Sequence, residues 1–294
     1  MKVLRDDVTL HVEAAPPGGE PMLLLMGLGA QLVLWPEALC ARLAARGARV
    51  IRMDNRDVGA SSHLRHLPVP SPRGTLLRAA LGLAVAAPYR LEEMADDACA
   101  VLDALAIPRA HIVGASMGGM IAQTMAITHP DRVASLTSIM STPGDRRYAL
   151  GARPRAVKAL LAPRAKSAAA LADQLVATFR AIGSRTHPPD EQHLRQAAAT
   201  IWERGVNPAG FARQLAAVCA APSRRRALGG IRVPTLVVHG AQDPLIPVAA
   251  GRATAAAIPG ARLLVVEDMG HDLPAVRLDD IADAIAEVMR AAAP

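Results

Sequence analysis

A chain of 294 residues, 51% hydrophobic and 20% charged, can bury a large core, either as one α/β domain or as a core with an insert. No apolar run reaches the roughly 18 to 20 residues that span a bilayer, and Met1–Asp7 meets charge where a signal peptide would begin its hydrophobic stretch, so a soluble, cytoplasmic protein without a membrane span is expected. A formal charge of +7 admits a nucleic-acid partner, but aromatic residues are only 2% of the chain and leave few stacking platforms; no nucleic acid is expected, and the charge reads as an arginine-rich composition with a local patch at Arg224–Arg226.

From the amino terminus, Val8–Glu13 alternates apolar and polar and then meets Pro16, Pro17, Gly18 and Gly19, which predicts an antiparallel hairpin entering the main sheet. Short β-rich runs follow at Met22–Met26, Arg49–Met53, His111–Val113, Val133–Ile139, Thr235–His239 and Arg262–Val266. They alternate with Ala/Leu/Arg stretches of helical period, the pattern of a mostly parallel sheet with helices on both faces. Between Ser141 and Ala227 the strand runs disappear, and Pro154, Pro163, Pro188, Pro189, Pro208 and Pro222 break an Ala-, Arg- and Leu-rich composition. Residues 141–227 are therefore expected to form a helical insert, a cap over a core of residues 1–140 and 228–294, with a strand pattern resuming at Ile231–Pro234. The insert's Arg146, Arg147, Arg153, Arg155, Lys158, Arg164 and Lys166 read as solvated helix faces ahead of an anionic-ligand site. Cys40, Cys99 and Cys219, odd in number and set in apolar surroundings, read as reduced, packed thiols; none has metal-ligand spacing.

The segment richest in chemistry is Ala110–Met120, where a strand runs into Gly114-Ala115-Ser116-Met117-Gly118 and then into a helical stretch from Ile121. The bare Gly-x-Ser-x-Gly pattern is weak; a strand before it and a helix after it make it a nucleophile elbow, with Ser116 held on a sharp turn that only small neighbours allow. A serine hydroxyl needs an imidazole to take its proton, and the imidazole needs an acid behind it to fix its tautomer. His271 follows the last predicted strand, and Asp243 follows the strand before that, so both are expected on the same sheet edge as Ser116. Asp268 and Asp272 are competing acids, ranked below Asp243 because they are too close in sequence to reach behind the His271 ring. His239 reads as structural. For the oxyanion, two backbone donors are expected: the Met117 amide after the nucleophile, and the Leu28 amide from the turn Gly27-Leu28-Gly29.

Met26–Gly29 with Trp35–Pro36, then Arg52–Ser61, then Gly114–Gly119 make the chain resemble the α/β-hydrolase superfamily over nearly its whole length, within it the bacterial branch of aclacinomycin methylesterase-like esterases. The resemblance implies an eight-stranded core, a helical cap, no cofactor and hydrolysis of a small-molecule carboxylic ester. Two positions depart from the family pattern: Met26 stands where many members have histidine, and Asp57 stands where glycine is common, a difference that reads as a loop variant. Asp54, Arg56 and Ser61 are expected to organise the loop beneath the site, and Trp35 to be a packing anchor. Met26, Met117, Met120, Met140 and Met269 could line an adaptable apolar pocket or belong to the core. A lactonase, amidase, carbon–carbon hydrolase or cofactor-free perhydrolase would use the same three residues, and a ligand-binding protein on the same fold would use none of them. Ser116 at the elbow argues against epoxide hydrolases and haloalkane dehalogenases, which need a carboxylate there.

Overall fold

The computed structural model describes residues 1–162 and 165–292; Pro163 and Arg164, counted among the insert's breaks and cations, lie outside the described residues, as do Ala293 and Pro294. Eight strands form one sheet: β1 (Lys2–Arg5), β2 (Val8–Ala14), β3 (Glu20–Leu25), β4 (Ala48–Met53), β5 (Ala110–Ala115), β6 (Val133–Ile139), β7 (Thr235–Gly240) and β8 (Arg262–Val266). Their order is β1-β2-β4-β3-β5-β6-β7-β8. β1 and β2 are antiparallel, as are β2 and β4, and every later pair is parallel. The mostly parallel sheet is the one expected from the alternation of runs, and its eight strands are those that the resemblance to the α/β hydrolases implies.

The burial of each strand follows from its position. β2 alternates buried and half-buried along its length, as a strand near a sheet edge does, whereas every residue of β5 and β7 is buried because helices cover both faces of the centre. The helices are α1 (Glu37–Ala45), α2 (Pro72–Leu81), α3 (Leu91–Ala104), α4 (Met117–Thr128), α5 (Arg146–Ala149), α6 (Pro154–Leu160), α7 (Ala168–Ile182), α8 (Glu191–Arg204), α9 (Pro208–Ala220), α10 (Arg225–Leu228), α11 (Val248–Ala257) and α12 (Leu278–Ala291). Met94 and Val101 of α3 and Met120 and Ile121 of α4 bury one face of the sheet; Leu39 and Leu43 of α1 and Ile281, Ile285 and Met289 of α12 bury the other. None of the described helices is long and apolar enough to cross a membrane.

The helices from α5 to α10 all fall between β6 and β7, and several start on side-chain caps: Ser167 accepts from the Ala170 amide, Asp190 from His193 and Asn207 from Gly210. Two details differ from expectation. The amino-terminal hairpin is β1 with β2, turning at Asp6, whose φ of 53° is left-handed; the Pro16–Gly19 stretch instead carries the chain to β3, which is not a neighbour of β2. Ile231–Pro234 is a lead-in, and the strand itself begins at Thr235.

Candidate active site

The carboxyl ends of four parallel strands converge on one edge, and each releases a turn there. β5 ends at the elbow, β3 at residues 26–30, β7 at residues 241–247 and β8 at residues 267–274. Ser116 sits between β5 and α4 with φ 55° and ψ −116°, a conformation that costs a non-glycine residue about 1–3 kcal/mol. The turn closes only over glycine, since a Cβ on Gly118 would collide with the Leu25 carbonyl and one on Gly114 with the Gly118 carbonyl. A hydrogen bond from the Ser116 amide to the Ile139 carbonyl, 2.9 Å, and one from the Ser141 hydroxyl to the Ser116 carbonyl, 2.8 Å, fix the elbow against β6.

The structure brings all three sequence-predicted side chains together. His271 Nε2 lies 3.0 Å from Ser116 Oγ, and His271 Nδ1 lies 2.7 Å from Asp243 Oδ2. With Asp243 ionised, Nδ1 carries the proton and donates, which leaves Nε2 to accept from the hydroxyl. Asp243 is held in turn by the amides of Leu245 and Ile246, each donating to Oδ1 at 2.8 Å.

The competing acids are occupied elsewhere. Asp272 accepts from the amides of Ser184 and Gly270, and burial holds its carboxyl above the ordinary carboxylate pKa. Asp268 receives Arg277 and His187, and these two partners hold it well below that range. His239, read from the sequence as structural, is wholly buried; its Nε2 donates to the Ile246 carbonyl at 2.8 Å, and burial depresses its pKa beside Asp243.

A Cβ added to Gly27 would stand 3.2 Å from the Ser116 Cβ, so the turn after β3 lies directly against the serine. Among the described residues the amides of Leu28 and Met117 have no acceptor, while their neighbour Gly29 donates to Gln214 Oε1 at 2.8 Å. Asn55 Nδ2 donates to the Met26 carbonyl at 2.9 Å, and Asp54 Oδ1 accepts from Leu32 at 2.8 Å. The turn is thus fastened on both sides of Leu28. Asp54, Arg56 and Ser61 do organise the loop below: Ser61 donates to the Asp54 carbonyl at 2.7 Å, and Arg56 grips Asp97 with two hydrogen bonds of 2.6 and 2.8 Å.

Asp57 is more than a loop variant. Wholly buried at φ 70°, it accepts two hydrogen bonds of 2.7 Å from Arg213 of α9, one of 2.9 Å from Tyr89 Oη and one of 2.8 Å from the Leu64 amide. Burial alone would push its carboxyl up, but the guanidinium, the amide and the hydroxyl outweigh it and hold the pKa below the ordinary value. The stability this adds is therefore present above the unfolded carboxylate pKa and fades as pH falls through the depressed folded one. Replacing Arg213 with methionine strands the Asp57 charge and is expected to cost about 3–5 kcal/mol in urea unfolding at neutral pH. That deficit narrows on acidification, and an unchanged midpoint would refute it. Sequence reasoning missed Arg213, Gln214 and Asn55; the first two stand in a helix whose pattern carries no local sign of them.

A cavity of about 830 Å³ opens above Ser116 and His271, walled mainly by apolar side chains such as Leu160, Leu171, Leu175, Phe179, Phe211 and Val276. Of the five methionines, Met26 and Met140 line it; Met117, Met120 and Met269 lie in the core. Trp35 is wholly buried in the cluster beneath α1. Cys40, Cys99 and Cys219 are unpaired thiols, each raised by burial to about 11, and among the described residues no cluster of side chains could hold a metal ion.

The sequence profile of the α/β hydrolase fold matches residues 20–277. The chain is 30% identical to rhodomycin D methylesterase DauP of Streptomyces sp. (strain C5), covering 99% of this chain and 98% of that protein. It is 29% identical to rhodomycin D methylesterase DnrP of Streptomyces peucetius over the same shares. Among solved structures, the enol-lactonase from Burkholderia xenovorans LB400 superposes with a TM-score of 0.73 at 25% identity, covering 99% of this chain and 100% of that one.

Proposed function

The chain belongs to the α/β-hydrolase fold family and is a carboxylic ester hydrolase, and on that premise we propose that it works through an acyl-serine intermediate on esters with a bulky, apolar acyl group. Ser116 attacks the ester carbonyl while His271 takes its proton, Asp243 holds the imidazolium, and the Leu28 and Met117 amides receive the oxyanion. His271 then returns the proton to the leaving alcohol, and water activated by the same imidazole releases the acid. No cofactor enters these steps. The observation that carries the reading is the chain of two hydrogen bonds, 3.0 and 2.7 Å, from Ser116 through His271 to Asp243 at the floor of the apolar cavity.

In a methyl ester the bulk lies on the acyl side, so the cavity is assigned to the acyl group, with the helices of residues 141–227 as the cap that sets its shape. A lactone, whose acid and alcohol stay joined, is the second reading, favoured by the full-length likeness to the enol-lactonase. The unpaired thiols agree with a cytoplasmic setting. A series of p-nitrophenyl esters from acetate to dodecanoate tests the assignment: kcat/KM is expected to rise about three- to fourfold per methylene until the cavity is filled. Equal turnover of short and long esters would remove the acyl group from the cavity. No turnover of any ester or lactone would overturn the acyl-serine reading on esters.

A further inference from the structure

The net charge of +7 is not spread over the chain. Residues 58–91 and 146–172 together carry 11 of the 33 Lys and Arg residues and none of the 26 Asp and Glu, which leaves the rest of the chain with 22 cations against 26 acids. An arginine-rich composition would raise the charge everywhere; here two segments hold all of the excess.

The fold joins them. α2 lies in the first segment and packs on α5 of the second, where Arg146 donates to the Ala80 carbonyl at 2.6 Å. The same two segments contain five of the ten large hydrophobic side chains exposed among the described residues: Val69, Leu77, Leu81, Leu83 and Leu150. Leu77 and Leu81, both 61% exposed, stand one turn apart on α2, and Arg73 occupies the same face one turn earlier. Among the described residues no carboxylate lies within ion-pairing distance of Arg65, Arg73, Arg78, Arg146, Arg155 or Lys158. Elsewhere on the surface Arg42, Arg132, Arg195 and Arg262 each meet a carboxylate at 2.5–2.9 Å.

We propose that this face docks on an anionic lipid surface, with Leu77, Leu81 and Leu83 entering the headgroup region and the unpaired arginines meeting lipid phosphates. Protruding leucines ringed by cations that lack acidic neighbours match the chemistry of an interfacial amphipathic surface, in which apolar burial and electrostatic attraction act together. A purely acidic partner would satisfy the arginines and leave the leucines in water, so the leucines favour lipid. The second segment also reaches the cavity, because its α6 supplies Ala159 and Leu160 to the wall. Docking would set the cavity rim close to the bilayer, where apolar esters partition. The proposal stands apart from the hydrolytic reading, because binding is measured without turnover.

The test is co-sedimentation of the full-length protein with vesicles of phosphatidylcholine alone and of equimolar phosphatidylcholine and phosphatidylglycerol, at low and high salt. The protein is expected to pellet with the anionic vesicles, to be released by high salt and to stay in solution with the neutral ones. Replacing Arg73 and Arg78 together with serine is expected to weaken binding roughly thirtyfold. Replacing Leu77 and Leu81 together with serine is expected to weaken it about tenfold. Circular dichroism and thermal melts check that both exposed-site variants are folded before binding is compared. Failure to pellet with anionic vesicles overturns the proposal. So does a leucine variant that binds as well as wild type while the arginine variant does not, because that pattern belongs to a purely electrostatic partner such as an acidic protein.

Discussion

Replacing Ser116 with alanine is expected to lower kcat on a good ester substrate by about 10⁵- to 10⁶-fold while leaving KM within a few-fold. The asymmetry follows from the geometry. In the proposed mechanism the side chain supplies the bond-forming oxygen and the proton that His271 receives, but it is a small part of an 830 Å³ apolar cavity that would hold the substrate. Stability should separate from activity at this position. Alanine keeps a Cβ and hence the unfavourable φ of 55°, so its unfolding midpoint stays near that of wild type. Glycine relieves the strain, and Ser116→Gly is expected to gain about 1–3 kcal/mol in urea unfolding while being equally inactive. A Ser116→Ala enzyme retaining more than about a hundredth of wild-type kcat would contradict the assignment, since no residual mechanism supplies that much.

The second large effect is expected at Asp243. Its Oδ2 holds the Nδ1 proton of His271 and its Oδ1 is pinned by two amides, so Asp243→Asn preserves the shape of the turn and removes the charge behind the imidazole. The imidazole then adopts the wrong tautomer, and kcat is expected to fall about 10⁴-fold. Asp272→Asn provides the contrast, because this acid is directed at the amides of Ser184 and Gly270 and its loss should cost less than about tenfold in kcat. Steady-state kinetics on the two variants distinguishes them. The reverse order of effects would move the acid from Asp243 to Asp272.

The parts of this molecule that a sequence displays are those carried by short stretches of chain. Ser116, Asp243 and His271 each lie in a turn of fewer than ten residues after a β-rich run, and the alternation of such runs with helical stretches was enough to place all three on one sheet edge. The free Leu28 and Met117 amides belong to turns of the same kind. What was not legible depends on contacts between distant residues. Asp57 looks like a variant in a loop until Arg213, 156 positions away, is seen to bind both of its oxygens. Gln214 is one polar residue in an alanine-rich helix until its carbonyl is found on the Gly29 amide, 185 positions earlier.

β1 escaped for a different reason. It is four residues long and half of it is exposed, and Asp6 and Asp7 entered the sequence reading only as charge where a signal peptide would turn hydrophobic, whereas Asp6 makes the left-handed turn of a hairpin. The five methionines could not be divided by sequence, because pocket and core both favour a flexible apolar side chain. The total charge concealed its own distribution: +7 overall arises from two acid-free segments that meet only in the folded chain.

Covalent labelling tests most directly whether Ser116 is an activated nucleophile. The protein is incubated with a fluorophosphonate and examined by intact mass and peptide mapping. One adduct per chain is expected on the peptide containing Ser116, formed far more slowly in Asp243→Asn and absent in Ser116→Ala. An unlabelled wild-type protein, or an adduct on a different serine such as Ser141 or Ser184, would contradict it.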